Sequence, residues 1–348
     1  EQQLVQLIRI SVTGVSEPLS AKIDWTEMMH YSSKQGVLGV AFGAIEHLHA
    51  EDRPHIDFIM DWMRQITYLE SINRIHKDVI ADLATFLKEH DIRMMLMKGY
   101  GLSLFWPKPD SRPVGDIDIY TFGKWEETDH VICDKLGIKS DTSHHKHSEF
   151  NYKGKVIENH YEFLNVHAHC STAEIERILH QELEPYPDKE MPNLYYPSAR
   201  FNALYLLRHS GEHFASTCMQ MRHVLDWAFF VQANKIDWTW LLQTLDRVGM
   251  KQYLAVINAI CIRYLGFPSS IFPELPVDDA LVERSLKDIL HPEVEREHRY
   301  NPIREIVFRF QRWWKNGWKN QMVYKESKWQ MFTTQLWSHI LKPTWHVD

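Results

Sequence analysis

The chain has 348 residues, 44% of them hydrophobic and 24% charged, with a formal net charge of −7. This length suits two domains, and the composition is that of a folded globular protein. The acidic balance excludes a global basic field of the kind that drives non-specific nucleic-acid binding, and no uninterrupted apolar run reaches the ~18 residues of a bilayer span.

Cys133, Cys170, Cys218 and Cys261 are scattered, with no Cys-x-x-Cys pair. That pattern, with no charged-then-apolar leader at the start, predicts a reducing, cytoplasmic setting.

Residues 1–90 read as helical. Leu4, Leu7, Ile8 and Ile10 form an apolar stripe ahead of a loop at Thr13 to Pro18. Asp24, with Glu27 three residues later, opens a second helix that runs to about Ser33. After Gly36 a further helix covers Leu38 to His49. From Pro54 to Glu89, apolar residues recur at helical spacing, as one long helix or two in line.

The pattern then changes. Arg93 to Met97 is a short strand ending in a Lys98-Gly99 turn, followed by a short helix over Tyr100 to Phe105. Asp116 to Tyr120 is a second strand. Trp125 to Leu136 is a helix stopped by Gly137, and Ile138 to Asp141 is a candidate strand. Ser148 to Tyr152 and Lys155 to Asn165 form a hairpin around Lys153-Gly154.

From 171 onward the reading is again helical: Ser198 to Ser210, Gln220 to Gln232, Asp237 to Val248, Gln252 to Leu265, Val277 to Leu290 and Ile303 to Trp318, with loops at 185–197 and 268–276. The predicted fold is α+β. A small mixed sheet at 91–170, with helices on one side, lies between an N-terminal helical segment (1–90) and a C-terminal helical domain (171–348). Ile23-Asp24-Trp25-Thr26 echoes Ile236-Asp237-Trp238-Thr239. A shared way of starting a helix accounts for this without duplication.

The chemistry centres on residues 94–120. In a strand, side chains two apart share a face. Ile117 and Ile119 therefore face the core, and Asp116 and Asp118 stand together on the other side. Two carboxylates so close repel unless a cation lies between them. Hard cations such as Mg²⁺ take such ligands and grip phosphates.

Lys98-Gly99, a loop, and then Gly115-Asp116-Ile117-Asp118-Ile119 resemble the nucleotidyltransferase signature. More narrowly, the chain resembles an uncharacterised bacterial nucleotidyltransferase-like family. That family has a Lys-Gly turn, an Arg-x-x-x-Asp-x-Asp strand and a later acidic-x-His strand, matched here by Glu158-Asn159-His160. The segments LRHSGEHF and MRHVLDWAFF resemble its helical half, and the likeness covers roughly residues 20–265.

The resemblance implies Asp116, Asp118 and Glu158 on adjacent strands as catalytic carboxylates and metal ligands. They would hold Mg²⁺, one ion or two roughly 3.5–4 Å apart, beside an NTP whose nucleoside monophosphate passes to an unidentified acceptor. Glu158 is alternatively a solvated strand residue, with Glu162 as its substitute. Where the superfamily has Gly-Ser or Gly-Gly, this chain has Lys98-Gly99-Tyr100-Gly101, with Ser103 beyond. Gly99 permits close backbone approach. Lys98 is a phosphate-binding cation or a surface lysine at a strand end. The altered turn also suits a non-catalytic nucleotide- or partner-binding protein on the same fold.

Arg112 either clamps a phosphate or neutralises the acidic pair. His160 orients a carboxylate, touches the nucleotide, or is a packed histidine.

His144, His145, His147, His160, His167 and His169 are clustered, but no helical His-x₃-His pair or cysteine accompanies them at zinc spacing. A polar loop followed by a strand is the reading preferred over a zinc site. His209 and His213 have ligand spacing, but Glu212 is misplaced for His-Glu-x-x-His, so packing is expected. Arg222 and Asp226 form a candidate helix ion pair. The basic, aromatic stretch at 309–330 could bind single-stranded nucleic acid or rest on a membrane surface, though a docked amphipathic helix is the preferred reading.

Overall fold

The computed structural model describes residues 1–166, 169–216, 219–294, 308 and 311–326. The helices include α1 (Gln2–Thr13), α2 (Trp25–Lys34), α3 (Leu38–Gly43), α4 (Ile56–Lys88), α5 (Tyr100–Ser103), α6 (Trp125–Leu136), α7 (Cys170–Gln181), α8 (Ala199–Ser216), α9 (Met221–Ala233), α10 (Trp238–Val248), α11 (Lys251–Arg263) and α12 (Asp279–Leu290). The strands are β1 (Met94–Leu96), β2 (Ile117–Tyr120), β3 (His147–Tyr152), β4 (Lys155–His160), β5 (Tyr186–Pro187) and β6 (Leu194–Tyr196).

The chain divides into two compact units. One is built on Glu1–Ile66 and Leu206–Lys328, the other on Thr67–Tyr205. The divisions fall inside α4 and α8, not near residues 90 and 170 where the change of pattern is read in the sequence.

In the first unit, local signals act as expected. Asp24 Oδ1 accepts from Thr26 N and Glu27 N, both at 3.0 Å, and starts α2. Asp237 does the same for α10 through Trp240 N at 3.1 Å, so the repeated tetrapeptide is a repeated cap. Trp62 is fully buried against Trp25, Phe42 and Phe58 and donates its indole N–H to Leu38 O. Of the helix expected at Ile303 to Trp318, residues 303–307, 309 and 310 lie outside the described residues, and 308 and 311–315 are helical. Beyond it, Gly317–Val323 is helical. There Lys319 is buried and ion-paired with Asp288 at 2.5 Å, and Trp318 lies beneath the Arg284 guanidinium. Among the described residues, no helix is long and apolar enough to cross a membrane.

The second unit is a six-stranded mixed sheet in the order β3-β4-β2-β1-β6-β5, so the chain is α+β. β2 runs antiparallel to β1 and parallel to β4, and β1 runs parallel to β6. Without glycine or proline, α4 continues as one 33-residue helix. Its Val79, Ile80, Leu83, Ala84 and Leu87 pack in one core with Met94, Leu96, Ile117, Ile119, Phe150 and Ile157. These strand residues alternate, which leaves the opposite sheet face to polar side chains.

Three expectations need correcting. Ile138 to Asp141 makes only an isolated bridge, Asp141 to Glu149. β4 stops at His160 rather than Asn165, because the backbone N–H groups of Phe163 and Leu164 turn to the Glu176 carboxylate at 2.9 and 3.0 Å. The stretch 185–197 holds β5 and β6, so the sheet extends past residue 170. Three-residue strands of this kind depend on pairing with distant partners and carry little periodicity.

Candidate active site

Register assembles the site. β2 and β4 pair in parallel with Asp118 opposite Glu158 and Tyr120 opposite His160. The β3–β4 hairpin sets Glu149 opposite Glu158 and His147 opposite His160. Because alternate residues share a face, Asp118, Glu158 and Glu149 form one row across three strands, and His160 and His147 lie in the next. Asp116 sits just before β2 and is exposed, while Asp118 is buried.

Lys98 lies just past the end of β1. Its Nζ lies 2.8 Å from Asp118 Oδ1 and 4.0 Å from Glu158 Oε2. Desolvation alone would lower the pKa of this ammonium, but the charges of Asp118 and Glu158 and the hydrogen bond to Asp118 hold it above the ordinary lysine value. It is therefore a resident cation and not a surface lysine. Gly99 follows with φ 60°, and a Cβ there would lie 3.3 Å from Asp116 O. A side chain would be strained in that conformation and crowded against the acidic loop. Arg112 is buried and donates from Nη1 to Gly99 O at 2.9 Å and Pro113 O at 3.0 Å, bracing the turn against the loop. Asn73 and His76 on α4 secure the same loop through Arg112 O and Gly115 O.

His160 is buried, with Nδ1 3.0 Å from Glu162 O and Nε2 3.0 Å from Asp118 Oδ1 and 3.2 Å from Glu158 Oε2. Burial would raise the Glu158 pKa, but the His160 hydrogen bond and the Lys98 charge hold the carboxyl well below its usual range. Asp116 is shifted the opposite way. Partial desolvation and the negative charges of Glu158 and Asp118 raise it. The cluster thus brings together Lys98, Asp116, Asp118, Glu158 and His160. Ser103 lies apart, fully buried, with its hydroxyl donating to Tyr100 O.

The sequence reading did not place His147 in the site. It is buried, and its pKa is lowered to about 2 by burial and by the neighbouring His160, so its 3.6 Å approach to Glu158 Oε2 is not an ion pair. Hairpin arithmetic contained the signal: counting back from Lys153-Gly154 puts 147 opposite 160. His209, His213 and His223 also converge, in the first unit. Arg222 and Asp226 belong to that unit, and Arg222 packs against Gly36.

The sequence model of a family described as uncharacterised nucleotidyltransferase matches residues 21–266, well over half of the chain and including every residue of this cluster. The chain belongs to this nucleotidyltransferase family. Membership places it among the transferases at the level of the family's description and implies a nucleotide substrate. No curated protein and no solved structure matched the chain.

Proposed function

We propose that the chain is a metal-dependent nucleotidyltransferase that moves a nucleoside monophosphate from an NTP to an acceptor hydroxyl or phosphate. The observation that carries this reading is the in-register row of Asp118 and Glu158 on parallel strands, with Asp116 one pleat earlier and the Gly99 turn against it.

The donor set fits Mg²⁺. Asp116 and Asp118 offer hard oxygens, with the Glu158 carboxylate in register with Asp118 on the neighbouring strand, a gathering of negative charge that a cation would relieve. Asp116 and Asp118 would hold the ion, with Glu158 completing the carboxylate set. Bound there, Mg²⁺ supplies charge neutralisation on the phosphates and on the oxygens that attack and leave. The protein's own groups position the rest. The Lys98 ammonium adds fixed positive charge beside Asp118. Gly99 lets a phosphate approach the backbone, and Arg112 holds that turn in place through its carbonyl. Glu158 is kept ionised by His160 and Lys98, which suits a metal ligand and weakens it as a base for the acceptor hydroxyl.

The test is transfer from labelled NTPs with Mg²⁺ and candidate acceptors. Asp116→Ala and Asp118→Ala are expected to lower transfer on the order of 10²- to 10³-fold, and undiminished transfer in both removes the site. The engagement of Lys98 with Asp118 and the burial of Ser103 favour one second reading, a nucleotide-binding protein without turnover. Calorimetric binding of ATP with no product formed under any acceptor condition would select it.

A further inference from the structure

A second cluster lies beside the acidic pair. His147, Glu158 and His160 each offer one ligand atom, and these atoms lie within 4.8 Å of one another. The hairpin register produces it, since His147 and His160 are cross-strand partners and Glu158 precedes His160 by two on the same face.

The hydrogen bonding of His160 fixes which nitrogen can act. Nδ1 meets Glu162 O at 3.0 Å. A carbonyl only accepts, so Nδ1 carries the ring proton. Nε2 then faces Asp118 Oδ1 and Glu158 Oε2. With the proton on Nδ1, the Nε2 lone pair lies beside two carboxylate oxygens, a donor set that a cation between them completes. Metal-ligating histidines characteristically have the far N–H held by a backbone carbonyl.

His147 supplies an independent observation. It is 4% exposed, and neither ring nitrogen meets a hydrogen-bond partner among the described residues. Buried polar nitrogens are normally paired, and an exception calls for an explanation such as an ion. Its Nδ1 lies 3.6 Å from Glu158 Oε2.

We propose that His147, Glu158 and His160 bind a divalent transition ion of the zinc class, next to the oxygen-only Mg²⁺ position at Asp116 and Asp118 and sharing Glu158 with it. Two imidazoles and one carboxylate suit Zn²⁺ or Co²⁺, whereas Mg²⁺ prefers oxygen ligands and retains its waters. Three protein ligands leave a coordination position open. His144 and Glu149 form an alternative trio with His147. There, however, His144 lies nearly flat against the His147 ring, with centroids 4.6 Å apart and planes 26° apart, a stacking contact. The proposal stands on the donor set and does not depend on transfer activity.

Co²⁺ is the probe, because its visible absorption reports nitrogen and oxygen donors and low coordination number. The full chain, stripped with a chelator, is expected to take one Co²⁺ with clear visible absorption that Zn²⁺ abolishes by displacement. His147→Ala and His160→Ala should each weaken binding at least tenfold. Asp116→Asn and His144→Ala should leave it unchanged, with circular dichroism confirming that each variant is folded. Absence of the absorption in the wild-type chain overturns the proposal whatever the variants do. So does its loss in Asp116→Asn or His144→Ala, or its persistence in His147→Ala. If Asp116→Asn loses transfer and keeps the Co²⁺ spectrum, the two ions occupy different positions; if no NTP transfer occurs but the spectrum is present, only the transferase reading fails.

Discussion

Lys98 holds the charge balance of the site. Its ammonium is enclosed against Asp118, which is itself buried, and removing one member of such a pair leaves an uncompensated charge. Lys98→Met should therefore destabilise the protein by about 3–5 kcal/mol, read from urea unfolding. Excess Mg²⁺ should recover more stability in the variant than in the wild type, since an ion at Asp116 and Asp118 replaces the lost charge. Equal Mg²⁺ effects on both proteins would argue that Asp118 is not a metal ligand. Sequence alone left Lys98 between a phosphate-binding cation and a surface residue, because a strand end reads the same either way. Its enclosure depends on β2 and β4, which lie further along the chain. Arg112 shows the same limit. Its charge is legible in the sequence, but its hydrogen bonds to Gly99 O and Pro113 O follow from the path of a loop.

At the scale of elements, the end of β4 couples to α7 through titratable groups. Glu176 accepts the N–H groups of Phe163 and Leu164, and His180 lies 3.2 Å from Glu176. Burial and the Glu176 charge raise the Glu162 pKa to about 7, with His180 partly opposing the shift. The folded chain thus keeps this proton to about pH 7, whereas the unfolded chain releases it near the ordinary glutamate value, about 4.3. The stabilisation is complete below the unfolded value and is lost as pH rises towards 7. Glu162→Gln should flatten this decline, with a higher urea midpoint than wild type at pH 8 and little difference at pH 4. An unchanged pH slope would show that Glu162 does not titrate in this way. Helix starts were far more legible than this strand end. The caps at Asp24 and Asp237 and the stop at Gly137 act within one turn of the chain, and all three appear where the sequence places them. The strand end depends on a carboxylate from the following helix, which no local pattern announces.

For the whole molecule, the net charge of −7 and the burial of Lys319 against Asp288 weigh against a nucleic-acid role for the basic, aromatic stretch. RNA affinity should be weak at physiological salt, with a shallow dependence on salt concentration. A steep loss of tight binding with added salt, abolished by deleting residues 309–330, would restore that role.

The α+β class, the caps, the long α4 and the Asp116–Asp118 pair follow from composition, spacing and period, which act over a few residues. The hairpin turn even carries the pairing of His147 with His160. The tertiary structure decided the parallel pairing of β2 with β4, the incorporation of β6 beside β1 and the placement of Lys98 against two carboxylates. Those contacts join segments tens of residues apart, and their geometry is set by packing on a shared core, which no short stretch of sequence encodes by itself.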